Sequence, residues 1–304
     1  MINLSYETHP ELYFDYRLGL DFLKSIKNED YEYPEHQVLF HVYTEVKNEK
    51  ELECIKSYLA TQNLDKTKLI IWSDYNILDN ELIKPYKDLL EFKVYDAREE
   101  AKDTPLEKEY GKLNAADNKH YLQSDLFRLM ILYKYGGVWA DMDIVFLRDF
   151  KAILDQEYMY QWGSETQYAS QGACATVLAM KKQSEFATVM LDVLKTMPTI
   201  EETTIWGKDT FAKLWQVWPH FTIFPSTFFN TEWLISKVNE PLSRETENNW
   251  FYNTTDVAKD CLFLDAFSWH WHNTSNKDKR IEKGSKFDLL RKKTNQLLES
   301  RGIL

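Results

Sequence analysis

The chain has 304 residues, 44% apolar and 15% aromatic, which is ample material for the core of one large α/β domain. Its 37 basic and 48 acidic residues leave a net charge of −11, which argues against a broad phosphate-backbone surface and against nucleic acid as a partner. Cys54, Cys174 and Cys261 lie too far apart for a paired zinc spacing or a disulfide framework, and no run approaches the roughly 18 apolar residues of a membrane span. No basic start followed by an apolar core opens the chain, so a protein without a secretory signal or transmembrane segment is expected.

Residues Met1 to Glu35 are rich in Tyr, Asp and Glu, with a short helix expected over Leu18 to Ile26. Gln37 to Val46 has the β-branched and aromatic content of a strand. Asn48 to Thr61 then places Leu52, Ile55 and Leu59 on one helical face, and Lys68 to Trp72 is a second apolar strand. That β-α-β order predicts a parallel sheet with right-handed crossovers, whose ligands sit beyond the carboxyl ends of the strands, beside Tyr43 and Thr44. Phe92 to Tyr95 is the third expected strand, and Asp96 to Asn118 a charged connection.

The informative stretch is His120 to Phe150. Asp117 or Asn118 is the expected N-cap of a helix carrying Leu122, Leu126, Leu129, Met130 and Tyr133, and Gly136 supplies a stop at positive φ. Asp125 and Arg128, three apart, share a face of that helix. Val138 to Leu147 reads as one strand, whose period of two sends Asp141 and Asp143 to the same side. Two carboxylates without an intervening base repel unless a cation joins them, and oxygen ligands suit a hard ion such as Mg²⁺ or Mn²⁺.

Ser124-Asp125-Leu126-Phe127-Arg128 and Leu132 to Asp143, LYKYGGVWADMD, resemble the S-D-x-x-R and L-Y-x-x-G-G-x-Y-x-D-x-D signature of glycosyltransferases with a D-x-D sugar-binding region. That family includes yeast mannosyltransferases, α-1,4-galactosyltransferases and, more remotely, the clostridial glucosylating toxins. Trp139 stands where Tyr is usual and Ala140 where Leu is usual; neither departure replaces a charged position. The resemblance implies a GT-A type α/β fold with a mainly parallel sheet, in a single domain. Its donor half is expected to run to about residue 150 and its acceptor half over 151–304.

Further along, Met159 to Gln171 and Ala173 to Met180 read as extended segments, with Gly172 between them, and Ser184 to Lys195 as a helix. Trp206 to Trp215 opens another helix; its Asp209 either favours the positive helix end or, by the resemblance, lies under the donor sugar. Phe221 to Asn230 shapes a pocket wall, and Pro241 to Asp260 is a loop. In Asp265 to Asn273, DAFSWHWHN, alternation sends His270 and His272 one way and Trp269 and Trp271 the other. The resembling families close the nucleotide site with a C-terminal His, so His270, His272 or Asp265 is the candidate third metal ligand. The basic run Lys277, Lys279, Arg280, Lys283, Lys286 is a solvated face, or reaches a diphosphate or an anionic membrane.

The resemblance implies transfer of a hexose from a UDP-sugar to a hydroxyl of a glycan, lipid-linked or protein acceptor, with retention of configuration. Asp143 would bind Mn²⁺ or Mg²⁺, with Asp141 and His270 or His272 assisting. Tyr43 and Thr44 would border the uracil. Ser124, Asp125 and Arg128 would meet ribose, sugar hydroxyls or phosphate, with Arg128 forking bidentately. Relatives in the Golgi carry an N-terminal anchor, so this chain is expected to be cytoplasmic, peripheral to a membrane at most, and bacterial or viral. A glycoside hydrolase would instead need carboxylates roughly 5 to 10 Å apart across the scissile bond. A non-catalytic sugar-binding protein would keep the pocket without turnover.

Overall fold

Val38–Tyr43 (β1) is apolar on both faces, and it founds the sheet: Phe40 and Val42 enter one core while Leu39 and Tyr43 pack against the other. The computed structural model describes residues 1–114, 120–161, 173–196, 221–232, 250–253 and 262–304. The helix Tyr16–Ser25 (α1) precedes β1, and Glu49–Thr61 (α2) follows it, capped by Asn48. Next come Thr67–Ser73 (β2), Glu91–Val94 (β3), the short helix Ala97–Ala101 (α3), His120–Tyr135 (α4) and Gly137–Ala140 (β4). Ile144–Phe146 (β5), Tyr158–Gln161 (β6), Ala173–Met180 (β7), Glu185–Thr196 (α5) and Thr222–Phe224 (β8) continue the chain. Ser268–His270 (β9), Asn273–Asn276 (α6) and Lys286–Ser300 (α7) complete it.

Among the described residues seven strands form one sheet in the order β3-β2-β1-β4-β7-β6-β8, parallel throughout except for β7, which opposes both β4 and β6. The expected parallel α/β architecture is therefore present, and its strands come from both sides of residue 150. The chain runs outward from β1 through β2 to β3, then returns to lay β4 on the other side of β1. That reversal makes a crevice at the carboxyl ends of β1 and β4, the place where open α/β sheets bind ligands. α2 and α7 pack together over one face, with Phe40, Phe146, Phe150 and Trp269 in the core beneath. α4 and α5 cover the other, over Trp72, Phe127, Trp139 and Leu178.

The join between α4 and β4 is the tightest point. Gly136 (φ 71°) ends the helix with its N–H donating to Leu132 O at 2.8 Å, and Gly137 (φ 106°) lies so close to β1 that a Cβ would overlap the Leu39 carbonyl oxygen. Beneath it His41, fully buried, donates from Nε2 to Gly136 O at 3.0 Å and accepts from Trp72 Nε1 at 3.2 Å on Nδ1.

Three expectations change. Val138 to Leu147 is not one strand: β4 stops at Ala140, Asp141 to Asp143 form a turn closed by Ile144 N–H to Asp141 O (3.1 Å), and β5 leaves the large sheet to pair antiparallel with β9. The cause lies far along the chain, since β9 offers Ile144 to Phe146 a partner that local periodicity does not reveal. Nor does the strand at His270 continue; His272 turns left-handed at φ 52°. Lys286 is not part of a solvated face, being 2% exposed and ion-paired with Glu232. The expected caps Asp117 and Asn118, Gly172, Cys261, the helix over Trp206 to Trp215 with Asp209, and most of the loop from Pro241 lie outside the described residues.

Two stability measurements follow from this join. Gly137→Ala adds strain at positive φ and a clash with β1, so it should cost about 2 kcal/mol or more in urea denaturation, whereas Gly111→Ala, with open space around it, should stay within about 0.5 kcal/mol. Burial lowers the His41 imidazole from 6.5 to about 4, despite its bond to Gly136. Between those values the unfolded chain takes up a proton that the folded chain refuses, so stability falls as pH drops through that window. The loss from pH 7 to pH 5 should be about 2 kcal/mol, and His41→Gln should remove that part of the slope.

Candidate active site

The site is built where α4, the turn after β4 and the C-terminal segment meet. Arg128, 5% exposed, sits at its centre: Nη1 donates to Ala175 O at 2.7 Å, and Nη2 lies 2.5 Å from Asp125 Oδ1 and 3.1 Å from Asp141 Oδ1. Its Nε reaches the carbonyl of Ser124 at 3.4 Å. The helical spacing of Asp125 and Arg128 thus forms a pair, and the guanidinium fork is engaged by protein groups. Trp139 Nε1 donates to the same Asp141 Oδ1 at 2.7 Å, and its ring lies 5.5 Å from the Arg128 carbon centre. The departure from the family pattern at Trp139 therefore acts directly on a site carboxylate, which the sequence reading did not recognise.

Asp143 faces the other side of the turn. Its Oδ2 accepts from the Asn273 amide at 2.8 Å and lies 3.1 Å from His270 Nε2. Tyr160 Oη stands 3.5 Å from His270 Nδ1. His272 is close to its neighbour, the two rings 3.8 Å apart, but its Nε2 meets Asn230 Nδ2 at 3.1 Å and its ring stacks on Trp250. Trp269 and Trp271 pack on the opposite side against Phe287 and Phe251, so the expected partition of this segment is present. Asp265 is exposed, and its backbone carbonyl accepts from Arg148. Asn273, Tyr160, Asn230 and Trp250 had no signal in their local sequence, because each acts through a partner more than 20 residues away or through the backbone.

Electrostatics separates the two carboxylates. Burial raises Asp141 above the ordinary carboxylate range, with Arg128 pulling it down and Asp143 pushing it up. Burial would raise Asp143 as well, but the charge and hydrogen bond of His270, with the Asn273 amide, outweigh it and hold Asp143 low. Burial first, and then the His270 imidazole, lower His272 to about 3. The side chains of Asp141 and Asp143 keep 25% and 13% exposure, so solvent and ions reach both. Asp141 Oδ2 and Asp143 Oδ1 carry no hydrogen bond among the described residues. Two carboxylate oxygens and a neighbouring imidazole fit a divalent cation by donor type. Among the described residues no three His, Cys, Asp or Glu groups are already arranged around an ion position.

At the mouth of β1, Tyr43 Oη donates to Asp74 Oδ1 at 2.5 Å, and its half-buried ring meets Phe127 edge-on at 5.8 Å. Thr44 points inward: its hydroxyl donates to Glu51 Oε2 (2.9 Å) and accepts from Val46 N–H (3.0 Å), which makes it part of the turn into α2.

Residues 48–160, containing α4, the glycine join and both site carboxylates, match the model of the glycosyltransferase sugar-binding region containing the DXD motif. That stretch is similar to the sugar-binding region of DXD glycosyltransferases. A human alpha-1,4-N-acetylglucosaminyltransferase is 38% identical over 55 residues, 17% of this chain and 16% of that protein, so the chain matches less than a fifth of this relative's length. Among solved structures, the PaToxG glycosyltransferase has a TM-score of 0.47 at 16% identity, covering 67% of this chain and 76% of its own. The glycosyltransferase GlyE of Streptococcus pneumoniae has 0.48 at 8% identity, covering 88% of this chain and 64% of its own.

The DXD region contains a buried cation whose loss should be visible without any substrate. Arg128→Ala removes the guanidinium from Asp125 and Asp141 and the donor from the Ala175 carbonyl, and should cost about 3 to 5 kcal/mol in urea denaturation. Arg128→Lys, which keeps charge but not the fork, should recover part of that loss.

Proposed function

We propose that the protein is a metal-dependent, configuration-retaining glycosyltransferase that moves a hexose from a UDP-sugar to a hydroxyl of a glycan, lipid-linked or protein acceptor. The observation that carries this reading is the meeting of His270 with Asp143: two segments 127 positions apart converge on the DXD turn at the carboxyl-end crevice of the sheet. Asp141, Asp143 and His270 would hold Mn²⁺ or Mg²⁺. The bound ion would supply Lewis-acid neutralisation of the leaving diphosphate.

The chain's own groups prepare that site. Arg128 and Trp139 both contact Asp141 Oδ1, which fixes the carboxylate's orientation and leaves Oδ2 without a hydrogen bond among the described residues. The Asn273 amide does the same for Asp143 through Oδ2. Tyr160 beside His270 Nδ1 restrains the imidazole so that Nε2 faces the carboxylates. Tyr43 and Asp74 border the crevice where the base would lie, and Asp125, held by Arg128, is the candidate acceptor for ribose or sugar hydroxyls. In this reading residues 1–150 form the donor half and residues 151–304 the acceptor half. The described residues contain no helix long and apolar enough to cross a membrane.

UDP release from UDP-glucose, UDP-galactose and UDP-N-acetylhexosamines, with and without Mn²⁺, tests the reading. One donor should turn over with the metal and stop with a chelator. Asp143→Ala should lower turnover at least about a hundredfold, a loss of roughly 2.7 kcal/mol in transition-state stabilisation. Trp139→Phe keeps the ring beneath Arg128 but removes the bond to Asp141, and should lower kcat about tenfold. Wild-type turnover by Asp143→Ala would overturn the assignment, and absence of turnover with every donor would leave a binding protein.

A further inference from the structure

Apart from the DXD turn, a groove of about 520 Å³ opens between the start of α2 and the chain leading from α6 into α7. Lys50, Lys277, Lys279 and Arg291 line it, against one lining carboxylate, Glu49. An excess of three positive charges in one concavity runs counter to a chain whose net charge is −11.

Lys50 lines this groove and is 8% exposed. Its ammonium donates to the carbonyl oxygens of Asn276 (2.8 Å), Lys277 (2.9 Å) and Lys279 (2.5 Å), and sits 4.6 Å from the Phe251 ring centre. All three acceptors are neutral, so the hydrogen bonds are satisfied while the charge is not. The Asp278 carboxylate acts on it through space, and among the described residues no acid lies within ion-pair distance of it. A buried ammonium of this kind gains from an anion placed over it.

The walls supply further cations. Arg291 is aimed by Glu49 at 2.8 Å and Asp288 at 3.4 Å, while Lys277 and Lys279 have no carboxylate partner among the described residues. The helix end itself is not the attraction, because the Asn48 side chain already accepts from the amides of Lys50 and Glu51. Several ammonium groups converging on a concave surface suit a compact, multiply charged oxyanion.

We propose that this groove binds a phosphate group, carried on a soluble phosphorylated molecule or on a phospholipid headgroup. It shares no lining residue with Asp125, Arg128, Asp141, Asp143 or His270, so it is a second anion site and does not depend on the donor reaction.

Calorimetric titration with inorganic pyrophosphate, in EDTA and at low salt, tests it on the whole chain. Chelation keeps any metal-borne diphosphate at the DXD turn out of the readout, so failure here and failure of UDP-sugar turnover are separate results. Saturable binding should weaken at least about tenfold in Lys279→Glu, persist in Lys279→Arg, and remain within about twofold of wild type in Asp143→Asn. The Lys279 side chain makes no hydrogen bond in the described structure; its backbone carbonyl holds Lys50, so the substitution leaves that contact in place.

Sedimentation with phosphatidylcholine vesicles, with and without phosphatidic acid, identifies the phosphate's source. For so acidic a protein, pelleting only with phosphatidic acid, and loss of that pelleting in Lys279→Glu, would support a headgroup. Pyrophosphate binding without pelleting would support a soluble ligand. No saturable heat, equal affinity in Lys279→Glu, or loss of binding in Asp143→Asn would overturn the proposal.

Discussion

Two carboxylates two residues apart in a partly buried turn must be given positive partners, and most of the architecture around Asp141 and Asp143 answers that requirement. The molecule meets it from two directions. Arg128 reaches Asp141 from α4, in the centre of the core that contains Phe127 and Trp139. His270 and the Asn273 amide reach Asp143 from the C-terminal segment, on the side of the core that contains Phe146 and Trp269. The turn between β4 and β5 therefore lies at the seam of the two cores, and the two carboxylates acquire opposite electrostatic characters although they are chemically identical.

Holding the C-terminal segment against that turn takes interactions remote from it. β9 pairs with β5, and Trp271 N–H donates to Asp143 O at 3.1 Å, so backbone bonds fix the register of the histidines. Behind β9, Lys286 is buried beside the Trp269 ring at 4.8 Å and paired with Glu232, and that burial pushes its ammonium well below the usual lysine range. Lys50 then gathers the carbonyl of the last residue of α6 and those of Lys277 and Lys279 beyond it. Loss of either lysine would loosen the peptide that carries His270, Asn273 and Asn276 without touching the carboxylates themselves.

The same segment joins the proposed donor site to the basic groove. Asn273 contacts Asp143, and within the next six residues the chain has turned its carbonyls onto Lys50 and placed the Lys277 and Lys279 ammonium groups at the groove wall. One stretch thus borders an anionic turn on one side and a cationic groove on the other. That arrangement concentrates opposite charges within a short span of an otherwise acidic protein.

Local chemistry was enough to recognise much of this from the sequence. The α4 face with Asp125 and Arg128, the glycine join, and the order of β1, α2 and β2 all follow from contacts within a few residues, where periodicity and φ requirements act directly. Alternation also pointed to His270 and His272 lying together, although a left-handed turn at His272, not a continued strand, brings their rings close. What the sequence could not reveal depends on partners distant along the chain. β5 departs from the sheet because β9 is there to receive it, which makes a turn of Asp141 to Asp143 where a strand was expected. Arg128 is directed inward by Ala175 of β7, Thr44 by Glu51, and Lys286 by Glu232. The residue types present were legible in one dimension; which of them face a ligand and which face each other was decided by the burial of unpaired polar groups, a cost that arises only when the chain is packed in three.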